Sequence, residues 1–396
     1  MTDRKSSAWL PALGLRVAMQ DVLIIGGGMA GASAAFFLAS GSRVTVLEAE
    51  AHCGMHTTGR SAALFSEGYG NAAIRAFTRA SRQFLLEPPS GFCDVPLLTP
   101  RGVMVIGTDA QRPRLQALFA ETSTESAAPL DWLDTDASRS VIPILRPDYI
   151  GSAYLDHSAM DIDVDALHQG FLRGARRHGA RIVTNARVEA IERVGGTWIV
   201  TTPVGVFDAR ILVDAAGAWA DQVAAMAGAT PLGLVPKRRT AMLVDAPPGV
   251  NARDWPGVID VDEMFYFKPS SGMLLLSPAD ETPSEAGDAQ PEEIDIAIAV
   301  DRIQQAADLP VTRISRSWAG LRSFFADKTP AVGWDSQVEG FFWLAGQGGY
   351  GIQTAPALGQ LTAGLVAASA MPDTFAVEGA DPDILSPARL RGAISE

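Results

Sequence analysis

Four successive apolar residues, Val22 to Ile25, stop at a run of glycines and give way to small and aromatic residues over 32–40. A short β-branched run without polar alternation reads as a strand buried on both faces, and the stretch beyond the glycines as a helix packed closely on it. A second apolar run over 43–48 ends in Glu48 and predicts another strand. Helical spacing returns over 71–86, closed by Pro88-Pro89, and over 164–178, where Asp163 can cap the first turn and Gly179 stops the last. Between them, 102–106 and 130–144 show no clear period and are assigned to an excursion from the main sheet. Strands are expected over 180–184, 188–193 and 198–202, with Gly195-Gly196 as a hairpin turn, then over 210–215 before a helix at 218–227. Strand patterns over 239–245, 265–269, 273–277 and 313–320, with a helix over 292–307, predict a mixed sheet. A last strand over 341–345 runs through Gly346-Gln347-Gly348-Gly349-Tyr350-Gly351 into a helix over 353–370.

This order defines an α/β protein, with a Rossmann-like nucleotide-binding domain and a mixed α+β second domain. A chain of 396 residues exceeds one comfortable core. The expected division is a loose extension at 1–20, a discontinuous nucleotide-binding domain from 21–87, 151–230 and 330–380, a second domain from 88–150 and 231–329, and a tail at 381–396. The net charge of -13 argues against a nucleic-acid groove or an anionic membrane surface as partner. Two cysteines, Cys53 and Cys93, without CxxC spacing or a His/Cys cluster, predict neither a disulfide framework nor a metal site. A reducing, cytoplasmic location fits, with peripheral membrane contact as the alternative. No apolar run reaches the ~18 residues of a membrane span, and Pro11 and Arg16 interrupt the opening segment in a way a signal peptide would not.

The chemistry enters with the glycines. In Gly26-Gly27-Gly28-Met29-Ala30-Gly31, Gly26 permits a tight turn, Gly28 lets backbone approach a pyrophosphate, and Gly31 lets helix and strand pack. The helix N-terminus then presents free N–H groups to the phosphates. Glu48 stands at the end of the second strand, where a ribose-binding carboxylate belongs. A nicotinamide enzyme needs one such turn. The second cluster, Gly346–Gly351 in front of a helix, suits a flavin, because a helix N-terminus near the ring stabilises the negative charge gained on reduction.

His56-Thr57-Thr58-Gly59-Arg60-Ser61-Ala62-Ala63, Val213-Asp214-Ala215-Ala216-Gly217-Ala218-Trp219 and the 346–353 block resemble the FAD-binding blocks of the D-amino-acid oxidase superfamily. Thr58–Ala63 with Tyr69-Gly70, Pro236-Lys237-Arg238-Arg239 and Trp318-Ala319-Gly320-Leu321-Arg322-Ser323 narrow the resemblance to bacterial D-arginine dehydrogenases. It implies a two-domain flavoprotein holding FAD through Gly26, Gly28, Met29, Ala30, Gly31, Glu48, Thr58, Gly59, Arg60, Ser61, Ala62, Ala63, Val188, Ala216, Gly217, Gly348, Gly349, Tyr350, Gly351, Ile352 and Gln353. Relatives that attach flavin covalently use a late cysteine. Both cysteines here are early, so FAD is expected to be noncovalent.

For the substrate, the resemblance implies that Arg322 holds an α-carboxylate, helped by Tyr266 and Arg239, while the Gly349 carbonyl, Tyr69 and Gln353 face the amine. Leu64, Ser66, Val103, Gly257 and Ile259 are the remaining pocket positions. Here the chain departs from D-arginine dehydrogenases. An acid is replaced by Val103, a histidine by Leu64, and a bulky apolar residue by Gly257, so the side-chain pocket is expected to be wider and less polar. The expectation is hydride transfer from a D-amino acid with a neutral, apolar or bulky side chain, giving a 2-oxo acid and ammonia, with oxygen or a quinone as electron acceptor. The alternatives are oxidation of a secondary amine or 2-hydroxy acid, or flavin binding without turnover.

Overall fold

The computed structural model describes residues 20–124, 126 and 128–391. The expected extension at 1–20, but for Gln20, and the end of the expected tail lie outside the described residues. One sheet of eight strands carries the glycine turns. Its parallel centre runs Phe341–Ala345, Gly205–Asp214, Gln20–Ile25, Val44–Leu47 and Arg181–Val183. The first half of Gly205–Asp214 continues outward as an antiparallel partner of Thr197–Thr202, which pairs with Ala190–Val194.

Burial explains the reading of Val22 to Ile25 as a two-faced strand. Val22 and Ile24 pack with Ala34, Ala35, Leu358 and Leu361 on one face, while Leu23 and Ile25 pack with Trp198, Phe341 and Trp343 on the other. The first helix, Met29–Leu38, starts earlier than expected because Gly28 takes the extended N-cap conformation, φ -70° and ψ -173°. Asp163 caps Val164–Arg177 by accepting the Ala166 N–H at 2.8 Å.

The second sheet has nine strands in the order Thr282–Pro283, Val235–Val244, Met273–Ser277, Tyr266–Ser270, Gly257–Asp260, Val103–Gly107, Ser152–Asp156 and Leu130–Leu133, with Ile314–Phe324 also paired to Val235–Val244. Ser152–Asp156, expected in the nucleotide-binding part, is a strand of this sheet, because its hydrogen bonds go to Val103–Gly107. The ambiguous 130–144 segment divides into the strand Leu130–Leu133 and the helix Thr135–Val141, separated by the N-cap Asp134. Leu64–Phe65, Met160–Ile162 and Leu98–Pro100 form a small third sheet. Among the described residues no helix is long and apolar enough to cross a membrane.

Candidate active site

The first glycine turn is shaped by backbone contacts that exclude side chains. Gly26 has φ +102°, and a Cβ on Gly31 would lie 1.9 Å from the Gly26 carbonyl oxygen. The turn is tied to its surroundings by side chains. Glu48 accepts the N–H groups of Gly27 and Glu50, each at 2.9 Å. The Thr58 hydroxyl accepts the Met29 N–H at 3.0 Å, and His168 donates through Nε2 to the Gly27 carbonyl at 2.9 Å. Burial depresses the His168 pKa, so the imidazole is held neutral.

A cleft of about 300 Å³ runs from this turn to the second glycine cluster. Its walls include Gly26, Gly28, Met29, Ala30, Glu48, Thr58, Arg60, Ser61, Ala62, Val188, Ala216, Gly217, Gly348, Gly349, Gly351 and Ile352. His56 and Trp219 face the same cleft with ring centroids 4.9 Å apart. Both belong to the 56–63 and 213–219 blocks, with no site role expected of either from sequence. Two buried nitrogens in the cleft walls, His56 Nδ1 and Gln347 Nε2, have no partner among the described residues. Glycine cradles and spare polar atoms at both ends fit a long ligand with phosphates in its middle.

A second cavity of about 760 Å³ meets the cleft at Ser61, Ala62, Arg239, Tyr266, Arg322, Gly349 and Ile352. Arg322 comes from the strand Ile314–Phe324, and its Nη1 donates to the Tyr69 hydroxyl at 3.2 Å. It makes no ion pair among the described residues. Burial works against its charge, yet the Tyr69 and Tyr266 oxygens and Glu263 hold its pKa above the ordinary arginine value. A Cβ on Gly349 would stand 2.7 Å from Arg322 Nη1, so the absence of a side chain there makes room for the guanidinium. Arg239, by contrast, is already engaged. Its Nε donates to the Asp280 carbonyl at 2.8 Å and its Nη2 lies 3.5 Å from Glu281.

Not every expected site residue faces a cavity. Gly31 and Gly59 line neither, and each packs against backbone, Gly59 against the Gly54 carbonyl at 2.7 Å from its would-be Cβ. The Arg60 side chain turns away to the Ala289 and Ala319 carbonyls and Asp288. Ala63, Leu64, Ser66, Tyr69, Val103, Ile259, Tyr350 and Gln353 line the second cavity. Gln353 is committed to structure, accepting the Ser66 N–H at 3.1 Å and donating to Thr78 at 2.9 Å.

Two expectations about the pocket need correction. Gly257 does not widen it, because it lines neither cavity; Leu64, Lys268 and Val103 stand at 3.5–3.8 Å from its would-be Cβ, in ordinary contact. Nor does Val103 leave the pocket without an acid. Asp156 stands directly opposite Val103 in the antiparallel register and lines the same cavity. Sequence reasoning missed it because register between distant strands is not encoded in local pattern.

Residues 21–365 match the family described as FAD dependent oxidoreductase, the D-amino-acid oxidase type, and the chain belongs to that family. It is similar to glycine oxidase of Bacillus licheniformis, 24% identical over 361 residues covering 87% of this chain and 92% of that enzyme. It is also similar to the hydrogen cyanide synthase subunit HcnC of Pseudomonas aeruginosa, 24% identical over 277 residues, 68% of this chain and 63% of that subunit. The fold matches the crystal structure of glycine oxidase from Geobacillus kaustophilus with a TM-score of 0.79 at 24% identity, covering 94% of this chain and 99% of that one. L-Proline dehydrogenase from P. horikoshii gives 0.79 at 20% identity, with 95% and 98% covered. The protein is an FAD-dependent oxidoreductase, and the cofactor expected from the paired glycine turns is FAD.

Proposed function

We propose that this enzyme oxidises a free α-amino acid of D configuration to a 2-oxo acid and ammonia, favouring a bulky, mainly apolar side chain over a guanidinium. Arg322 carries the reading. A guanidinium buried at the junction of cofactor cleft and second cavity, without a carboxylate partner among the described residues, suits a carboxylate brought by the substrate. The D configuration rests on the resemblance of the pocket motifs to D-arginine dehydrogenases. FAD would be held without a covalent bond, since neither Cys53 nor Cys93 lines the cleft, and burial and Glu48 push the Cys53 thiol up to about 11.

In this reading Glu48 holds the ribose, the two glycine turns hold pyrophosphate and ring, and Arg322 with Tyr266 orients the substrate carboxylate. The Gly349 carbonyl accepts an amine N–H. The substrate amine is oxidised in its neutral form, and no carboxylate or imidazole lies among the residues shared by the two cavities. The positive charges of Arg239 and Arg322 favour that form by lowering the ammonium pKa. Bound FAD supplies the two-electron acceptor for the α-hydrogen, and the imino acid released is hydrolysed in water.

A secondary amine or 2-hydroxy acid is the competing substrate class, favoured by similarity to proteins named dimethylglycine dehydrogenase and L-2-hydroxyglutarate dehydrogenase. An anaerobic panel of D- and L-amino acids, N-methyl amino acids and 2-hydroxy acids, read as flavin bleaching with ammonia assay, separates them. Bleaching by D-amino acids with stoichiometric ammonia is expected. Bleaching by N-methyl amino acids or hydroxy acids alone would overturn the proposal.

A further inference from the structure

The floor of the second cavity is one face of the nine-stranded sheet. Alternate residues of three adjacent strands point there: Val103 and Val105, Tyr154 and Asp156, and Ile259. Four of these five present hydrocarbon or an aromatic ring. Asp156 is the exception, only 3% exposed and sharing a wall with Val103.

Its hydrogen bonds are lopsided. Both described donors, the Ser158 N–H at 2.8 Å and the Ser158 hydroxyl at 2.6 Å, go to Oδ1. No protein donor or cation among the described residues engages Oδ2, and that oxygen is not sealed from the cavity. The buried Asp260 in the same wall shows the ordinary state of such a group. It accepts the N–H groups of Asp262 and Met264 on one oxygen and approaches Gln111 and Tyr149 with the other. A buried carboxylate oxygen left without a donor is costly, and a cavity-facing one can be satisfied by what enters the cavity.

We infer that Asp156 Oδ2 receives a single hydrogen-bond donor at the far tip of the substrate side chain. This inference rests on the amino-acid reading above. The apolar stem lies along Val103, Val105 and Ile259, and a terminal O–H, indole N–H or ammonium meets the carboxylate. With Oδ1 occupied by Ser158, the group offers one oxygen and not two, so Asp156 gives a forked guanidinium no bidentate partner. One residue thus gives the apolar floor a polar end suited to a single donor.

The test compares matched substrates in the wild-type holoenzyme and in Asp156→Asn, which keeps the Oδ1 acceptor for Ser158 and turns the free oxygen into a donor. The pairs are D-tyrosine with D-phenylalanine, and D-lysine with D-norleucine, followed by anaerobic flavin reduction. In the wild type the donor-tipped member of at least one pair has the higher kcat/KM, and the pair involved tells whether the tip is neutral or cationic. Asp156→Asn lowers that ratio about tenfold or more. Ratios unmoved by the substitution, with D-phenylalanine or D-norleucine still oxidised, overturn the role of Asp156 alone. Flavin left oxidised by every amino acid overturns the amino-acid reading and this inference with it. Should the variant fail to retain flavin, a wild type that prefers the donor-free member of both pairs overturns the inference.

Discussion

The two halves of the site are made of different material. The cofactor cleft is built largely from backbone, with glycines where a Cβ would collide and a few side chains, Glu48, Thr58 and His168, tying the turn down. The substrate cavity is built from side chains set by strand register, with Arg322, Tyr266, Val103 and Asp156 arriving on four different strands. At Gly26 and Gly31 the backbone half has no room for an added atom, whereas a side-chain site can be retuned one residue at a time. The first kind preserves a cofactor, and the second lets one fold serve many substrates.

The largest effect should come from adding a methyl to the backbone half. Gly31→Ala places Cβ against the Gly26 carbonyl, which cannot swing aside, so the purified variant should lose most of its flavin and melt lower. The absorbance ratio of protein to flavin checks this, and full retention of FAD would break the comparison. Next comes Arg322→Ala, which should keep FAD but lose about 2–5 kcal/mol of substrate interaction, orders of magnitude in kcat/KM. Near-normal substrate dependence of flavin reduction would remove Arg322 as the clamp.

A smaller change is expected from Val103→Glu. It adds a carboxylate opposite Asp156 and so supplies the oxygen pair a guanidinium needs. The ratio of D-arginine to D-phenylalanine efficiency should rise, with Leu64 limiting the gain. A constant ratio would show that position 103 does not sense the side chain.

The smallest effect concerns His168. Burial lowers its folded pKa below the ordinary value of 6.5, so the unfolded chain binds the proton more readily. The stabilisation from neutral His168 is complete above pH 6.5 and is lost as pH falls below it. Melting temperature measured from pH 8 to pH 5 should drop less steeply in His168→Gln than in wild type. An identical slope would mean that His168 takes no part.

What could be read from the sequence follows the same division. The nucleotide sheet was legible because Val22 to Ile25, Gly26 to Gly31 and Glu48 are close in sequence, and each residue type there has one physical reason to be present. The helix over 292–307 and the strand at 341–345 were legible from local pattern, matching Glu293–Ala306 and Phe341–Ala345. The floor of the cavity was not. Leaving 102–106 apart and assigning 151 onward to the nucleotide part hid the pairing of Val103 with Asp156, which depends on hydrogen bonds between segments some fifty residues apart. Gly257 misled for a related reason, since the volume a missing side chain frees depends on neighbours such as Leu64 that only the folded chain brings near.

The strand Phe341–Ala345 lies beside Gly205–Asp214 at the centre of the parallel sheet, and Gly346 to Gly351 follow it directly. During synthesis, therefore, the ribosome releases the first glycine turn long before the part of the chain that closes the cofactor's other end. A nascent polypeptide still short of Phe341 exposes one edge of Gly205–Asp214 and has half a cradle, so capture of FAD waits on synthesis of 341–351 and couples that segment to one made much earlier.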